Sequence, residues 1–280
     1  MTAQRRRDLV RLARKHDALI ICDDVYDFLQ WPILAESPDR FGSLAGRPLP
    51  PVTLLPRLVD IDLQLGPSAH DTRDGKHFGH AISNGSFSKL VGPGVRTGWV
   101  EGAPAFAFGL AQTGSTKSGG APSQLAAAIV CGMLASGELD AHIHGTVRPA
   151  LQRRHALIVS AVKRHLGDFV DVIQESSVAG TGWYGGYFVW LRLRNGRSAA
   201  EVAHRAKLDE NLIVAPGSLF EVKGDQESVQ FGHNIRLCYS WEDEQNILDG
   251  IKRLARVLKS WDEPRGSCSE TTDAGLDGFK

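Results

Sequence analysis

The sequence predicts an α/β protein: a mostly parallel sheet with covering helices over residues 1–146, then an interdomain helix and a smaller α+β domain over 147–261, and a disordered tail over 262–280. Three observations carry this. An amphipathic stretch at 2–17 runs directly into the short apolar segment Ala18–Cys22, the helix-to-strand alternation of α/β folds. From Val170 onward, strand-like segments follow one another closely, the mixture that marks an α+β unit. From Asp262 the chain turns polar and loses the apolar groups that would offset the entropy of ordering it.

Thr2 is placed to cap the first helix, whose apolar stripe is Leu9, Leu12 and Ala13, extended by His16. Ala18–Cys22 is apolar on both faces, as a buried parallel strand requires, and it ends in acidic and aromatic residues where α/β sheets present ligands. Residues 32–76, rich in Pro, Gly, Asp and Arg, read as a surface excursion containing one strand-like piece, RLVDIDLQL at 57–65. Strands are expected near 79–84 and 96–100. Residues 122–136 form an Ala-rich helix opened by Pro122 and Ser123. A longer helix at 147–166 turns its Arg-rich positions outward and buries Leu151, Leu157, Ile158 and Val162. The later strands are 169–176, 185–193, 211–217 and 234–240, with helices at 198–210 and 242–260.

Composition excludes several classes of function. Lys and Arg total 32, Asp and Glu total 32, and the formal net charge is zero, so nothing calls for nucleic acid or an anionic membrane. Arg5, Arg6 and Arg7 open the first helix as a solvated face. No apolar stretch approaches the roughly 20 residues that span a bilayer, and the N-terminus lacks a signal peptide's apolar core. The expected setting is cytoplasmic. Cys22, Cys131, Cys238 and Cys268 form no C-x-x-C pair, which points away from a disulfide framework or a zinc site. The ten histidines are scattered, and His142 and His144 would be splayed onto different faces of a helix; no metal is expected.

The chemistry concentrates in SNGSFSKLVGPGVRTGW, residues 83–99, where Lys89 lies among small residues. A lysine amine becomes chemically useful when it forms a Schiff base, and pyridoxal phosphate makes such an imine an electron sink for amino acids. That site needs donors for a phosphate, a carboxylate for the pyridine nitrogen and a donor for the ring phenolate. The chain offers Ser86, Ser88 and Arg96 around Lys89, with Asp23 and Tyr26 at the end of the first strand. Each also has a plainer reading: Lys89 as a surface lysine, Asp23 as a helix cap, Tyr26 as a core aromatic and Arg96 as an ion-pair partner; Arg236, a further candidate in the strand at 234–240, reads more plainly as that strand's solvent face. Trp99, Trp190 and Tyr187 read as packing residues, and Gly185-Gly186-Tyr187 as a turn into a strand.

With IICDDVYDFL, SFSKLVGPGVRTGW, GGYFVWL, VAPGSLF and NIRLCYS in this order, the sequence resembles the fold-type I pyridoxal-phosphate enzymes. The resemblance is to the class I and II aminotransferases and their 2-aminoadipate/kynurenine aminotransferase-like branch, and it covers all but the tail. The pattern S-x-S-K-x-x-x-P-G-x-R-x-G, with D-x-x-Y upstream and R-L-x-x-S downstream, is its specific part. The resemblance implies that Lys89 carries the Schiff base and moves the proton between the substrate α-carbon and the cofactor's C4′. It implies that Asp23 pairs with the pyridinium nitrogen, that Tyr26 hydrogen-bonds the 3′ oxygen, and that Ser86 and Arg96, with Ser88, hold the phosphate. Arg236 would grip the α-carboxylate with its guanidinium fork. The implied cofactor is pyridoxal 5′-phosphate, the implied partners are an amino acid and a 2-oxo acid, and the implied assembly is a homodimer in amino acid metabolism.

The pattern also departs from the family. A serine/glycine phosphate loop, a ring-stacking aromatic and an N-P-T-G motif, expected ahead of the first helix, do not occur in this sequence. The chain is therefore expected to correspond to the C-terminal two thirds of such an enzyme, with a partial large domain over 1–146, an unpaired sheet edge and exposed apolar helix faces. Two other readings stay open: a pyridoxal-phosphate-dependent lyase or synthase on the same scaffold, because fold does not settle reaction, and a non-catalytic fragment or ligand-binding domain.

Overall fold

The computed structural model describes residues 1–33, 56–71, 76–117, 123–172, 176–178, 181–224 and 228–261; the tail expected to be disordered lies outside them, as does much of the 32–76 excursion. Helix α1 (Ala3–Lys15) opens on Thr2, whose hydroxyl accepts from the Arg5 amide at 3.3 Å. Strands β1 (Ile20–Asp23) and β2 (Gln30–Pro32) follow, and then α2 (Leu58–Leu65).

Three local expectations are corrected here. Residues 58–65 are a helix and not a strand, because Leu58, Ile61 and Asp62 share one buried face at helical spacing. The Arg57 amide donates to the Asp60 carboxylate at 2.8 Å and closes the first turn, while buried Asp62 receives Arg14 at 2.7 Å. Packing of α1 on α2 also rotates the α1 stripe: Val10 and Ala13 are buried, and Leu12 faces solvent. In β1 only the face bearing Ile20 and Cys22 is packed, leaving Ile21 67% exposed.

Strands β3 (Ala81–Ser86) and β4 (Gly98–Glu101) complete a three-stranded sheet of order β1-β3-β4. The expectation of a mostly parallel sheet fails: β1–β3 is parallel, and β3–β4 is antiparallel. Residues 87–97 turn back tightly through two short 3-10 turns, and a connection so short reaches only an antiparallel neighbour. Among the described residues β1 and β4 are the edges of this sheet.

Two helices without a sequence signal follow, α3 (Pro104–Ala111) and α4 (Gly114–Lys117); α5 (Gln124–Ala135) lies where expected, and its Leu125 and Ile129 are exposed. After α6 (Glu138–His142), a π-helical turn at Ile143–Val147 leads into α7 (Arg148–Leu166). The chain then forms β5 (Val170–Val172), β6 (Ser176–Val178), β7 (Thr181–Gly185), β8 (Phe188–Leu193), α8 (Ala199–Glu210), β9 (Ala215–Pro216), β10 (Asn234–Cys238) and α9 (Glu244–Lys259).

A four-stranded antiparallel sheet has the order β5-β8-β10-β9, and β10 runs along β8 from Asn234 opposite Arg192 to Cys238 opposite Phe188. Its inner residues Val189, Leu191, Ile235 and Leu237 share one core with Ile158 and Val162 of α7, Val202 and Ala206 of α8, and Leu254 and Leu258 of α9. Strand β2 joins β7 and β6 in a second antiparallel sheet, and its Trp31, fully buried, enters that same core. Arg148 Nε donates to the Gln30 carbonyl and Gln152 Nε2 to the Pro32 carbonyl, both at 2.8 Å. The segment carrying Asp23 and Tyr26 is thereby bolted to the second half of the chain.

Candidate active site

Lys89 ends a 3-10 turn, Phe87–Lys89, at the carboxyl end of β3. The turn forms because Ser86 Oγ accepts the Ser88 amide at 3.1 Å, a capping bond that leaves the Ser86 hydroxyl proton uncommitted. The turn is pressed against the sheet by Trp99, whose ring lies 4.8 Å from Phe87, and Gly85 is needed beneath it: a Cβ there would overlap the indole. Trp99 and Trp190 are packing residues, as expected, with Trp190 set edge-on to Phe220 and Phe231.

The Lys89 amine makes no hydrogen bond or ion pair among the described residues. It stands 5.8 Å from the Tyr26 ring centre and 5.6 Å from that of Tyr187. Tyr26 comes from the turn after β1, and Tyr187 from the entry to β8; their rings meet edge-to-face at 5.1 Å. Gly186, at φ +81°, lets the backbone pass the Tyr26 ring. Burial pushes the Tyr187 phenol up to about 12 and raises that of Tyr26. Both are therefore protonated donors near neutrality.

Asp23 ends β1 on the exposed side and accepts from Asn84 Nδ2, its neighbour in register, at 3.1 Å. Its charge reaches Tyr26, as does that of Arg236. Arg236 projects from β10 with its guanidinium carbon 4.0 Å from the Phe188 ring centre and 4.1 Å from that of Phe220. It has no hydrogen-bond or ion-pair partner among the described residues, and partial burial lowers its pKa. It borders a cavity of about 660 Å³ shared with Phe188, Cys238, Trp241 and Ile251; Lys89 and Tyr26 do not line that cavity.

Arg96 stands apart. It adopts a left-handed backbone conformation, φ +46°, and its exposed side chain donates to the Pro93 carbonyl at 3.0 Å, with no bond to Ser86, Ser88 or Lys89. The structure thus gathers Tyr26 and Lys89 with Tyr187, sets Ser86 and Ser88 on the lysine's own turn, and leaves Asp23 and Arg236 within electrostatic reach of Tyr26. Sequence reading assigned no site role to Tyr187, Phe188 or Phe220. Its only signals were the glycine pair before Tyr187 and the aromatics inside GGYFVWL and VAPGSLF.

The family model for class I and II aminotransferases matches residues 1–254. The chain belongs to the class I and II aminotransferase family. The uncharacterized protein YER152C of Saccharomyces cerevisiae is 35% identical, over 91% of this chain and 52% of its own length. The aromatic-amino-acid aminotransferase 1 of Thermococcus litoralis is 26% identical, over 92% of this chain and 50% of its own. The crystal structure of LysN, an α-aminoadipate aminotransferase of Thermus thermophilus complexed with N-(5′-phosphopyridoxyl)-L-leucine, superposes with a TM-score of 0.63. It is 24% identical, covers 91% of this chain and 54% of that one, and at this identity speaks for the fold alone. The chain therefore spans about half the length of the relatives it matches, less than the two thirds expected, and holds the fold of this family in part.

Proposed function

We propose that this chain carries the lysine-bearing site of a pyridoxal-phosphate-dependent aminotransferase that moves an amino group between an α-amino acid and a 2-oxo acid. The observation that supports it best is the unpaired Lys89 amine set between two protonated phenols. The donor set fits the cofactor: an unpaired amine for its aldehyde, a Ser86 hydroxyl with an uncommitted proton for its phosphate, and an Arg236 fork without a counter-ion for the substrate carboxylate.

Bound pyridoxal phosphate supplies an electron sink for bond breaking at the α-carbon. Lys89 Nζ would be the group that holds the cofactor's aldehyde, and its amine is the base suited to moving a proton at the substrate α-carbon. Asp23, at the strand end, would keep a proton on the ring nitrogen, and Tyr26 Oη would donate to the ring oxygen. Ser86 and Ser88 would hold the phosphate, and Arg96 would join them only by giving up its bond to the Pro93 carbonyl. Arg236 would grip the α-carboxylate in two parallel bonds, with the Phe188 and Phe220 rings about its guanidinium.

The test is titration with pyridoxal phosphate, borohydride reduction and peptide mapping, with Lys89→Ala alongside. A saturable single adduct on Lys89 that disappears in the variant is the expected result. Label spread over exposed lysines, unchanged in Lys89→Ala, would sink the reading. Incubation with an amino acid and a 2-oxo acid then separates transfer from elimination, since a lyase releases ammonia in place of a new amino acid.

A further inference from the structure

We infer that Tyr187 is a positioning residue for Lys89: its hydroxyl anchors the lysine backbone, and its ring is the second wall of the cleft that holds the amine. The inference rests on the role proposed for Lys89. Tyr187 Oη donates to the Lys89 carbonyl at 2.7 Å across 98 residues of sequence. The anchored turn needs such a bond, because a three-residue 3-10 turn has poor hydrogen-bond geometry and little stability of its own. The phenol stays protonated well above neutral pH, so the bond is not lost to titration in the working range.

Tyr187 is itself held from several sides. The Gly186 carbonyl before it accepts from the fully buried Tyr239 at 2.7 Å, and its own carbonyl accepts the Tyr239 amide at 3.0 Å. Its ring meets Tyr26 edge-on. The second half of the chain therefore presents a fixed phenol to a flexible lysine. A lysine stem rotates about four single bonds, and two nearly equidistant aromatic faces restrict where its ammonium can stand. A packing residue would need only the ring; here the hydroxyl is committed to one atom of the reactive residue.

The experiment uses the full chain as wild type, Tyr187→Phe and Tyr187→Leu. One arm follows pyridoxal phosphate attachment at Lys89 by borohydride trapping and by visible circular dichroism, which reports how rigidly the chromophore is held. The other needs no cofactor: limiting acetic anhydride, with acetylation of Lys89 read by mass spectrometry against the exposed Lys15 and Lys252. Tyr187→Phe should stay folded, melting only a few degrees below wild type, yet attach pyridoxal phosphate roughly 2- to 10-fold more slowly, the worth of one hydrogen bond, and with a weaker dichroic band. Tyr187→Leu, which removes the wall as well, should raise Lys89 acetylation severalfold relative to the two reference lysines. Wild-type behaviour of both variants in both arms overturns the inference while leaving the role of Lys89 standing. If wild type forms no Lys89 adduct, the role of Lys89 fails and the acetylation arm decides the positioning claim alone: an unchanged Lys89 ratio in Tyr187→Leu rejects it, and a raised one supports it.

Discussion

A lysine without a counter-ion lies here between two rings, and next in the chain to one of them, Tyr26, a carboxylate is left short of partners. Asp27 is partly buried near Asp24, and its Oδ2 is buried with no hydrogen-bond partner among the described residues. Arg57 lies 3.7 Å away, but it gives its stronger bonds to Glu101 and Asp60, at 2.7 and 2.8 Å. Burial and then Asp24 push the Asp27 carboxyl up to about 7 from 3.8. Because the folded value lies above the unfolded one, the folded chain binds more protons in that window. Asp27's contribution is full below about pH 4 and is lost as pH rises through about 7. Asp27→Asn removes the titration, so its melting temperature relative to wild type should climb between pH 5 and pH 8. A difference that is flat with pH would contradict the assignment.

At the scale of elements, the β3–turn–β4 unit decides where the lysine sits. Gly85 is the point of closest approach, since a side chain there would overlap the Trp99 indole. Gly85→Ala should destabilise the chain by roughly 1–3 kcal/mol, the usual cost of overpacking, read by chemical denaturation. It should also reduce labelling of Lys89, because the turn shifts with Trp99. The serine, glycine and lysine spacing of this unit was legible in the sequence, and so was the helix at 147–166 with its buried Leu151, Ile158 and Val162. The 58–65 segment was not. Its run Ile61-Asp62-Leu63-Gln64-Leu65 alternates like a strand, and only the partners of Asp62 and the face offered by α1 make it helical.

Across the whole molecule, strand β2 holds the two halves in one arrangement. It is three residues long and carries no periodicity, yet Trp31 is fully buried in the core of the second half. Trp31→Ala should cost about 3–5 kcal/mol by leaving a large cavity. Because β2 follows the Tyr26 turn directly, the same change should weaken the Lys89 cleft, read as loss of the dichroic band of the pyridoxal phosphate adduct in protein that is still folded at low temperature. A variant with wild-type melting would show that β2 is not the tie described here.

The sequence by itself determined the mixture of helices and strands and the order of most elements, and it singled out Asp23, Tyr26, Ser86, Ser88, Lys89, Arg96 and Arg236 as candidates, because spacing along one stretch of chain and the family resemblance it carries are local signals. Only the tertiary structure decided which of these meet. It placed Tyr187 against Lys89, brought Arg236 within about 4 Å of the Phe188 and Phe220 ring centres, turned Arg96 toward Pro93 and reduced the parallel sheet to one parallel pair. The reason is range. Periodicity reports the neighbours a residue has along its own element, whereas a bond across 98 residues depends on how separate elements pack, and no local pattern records that.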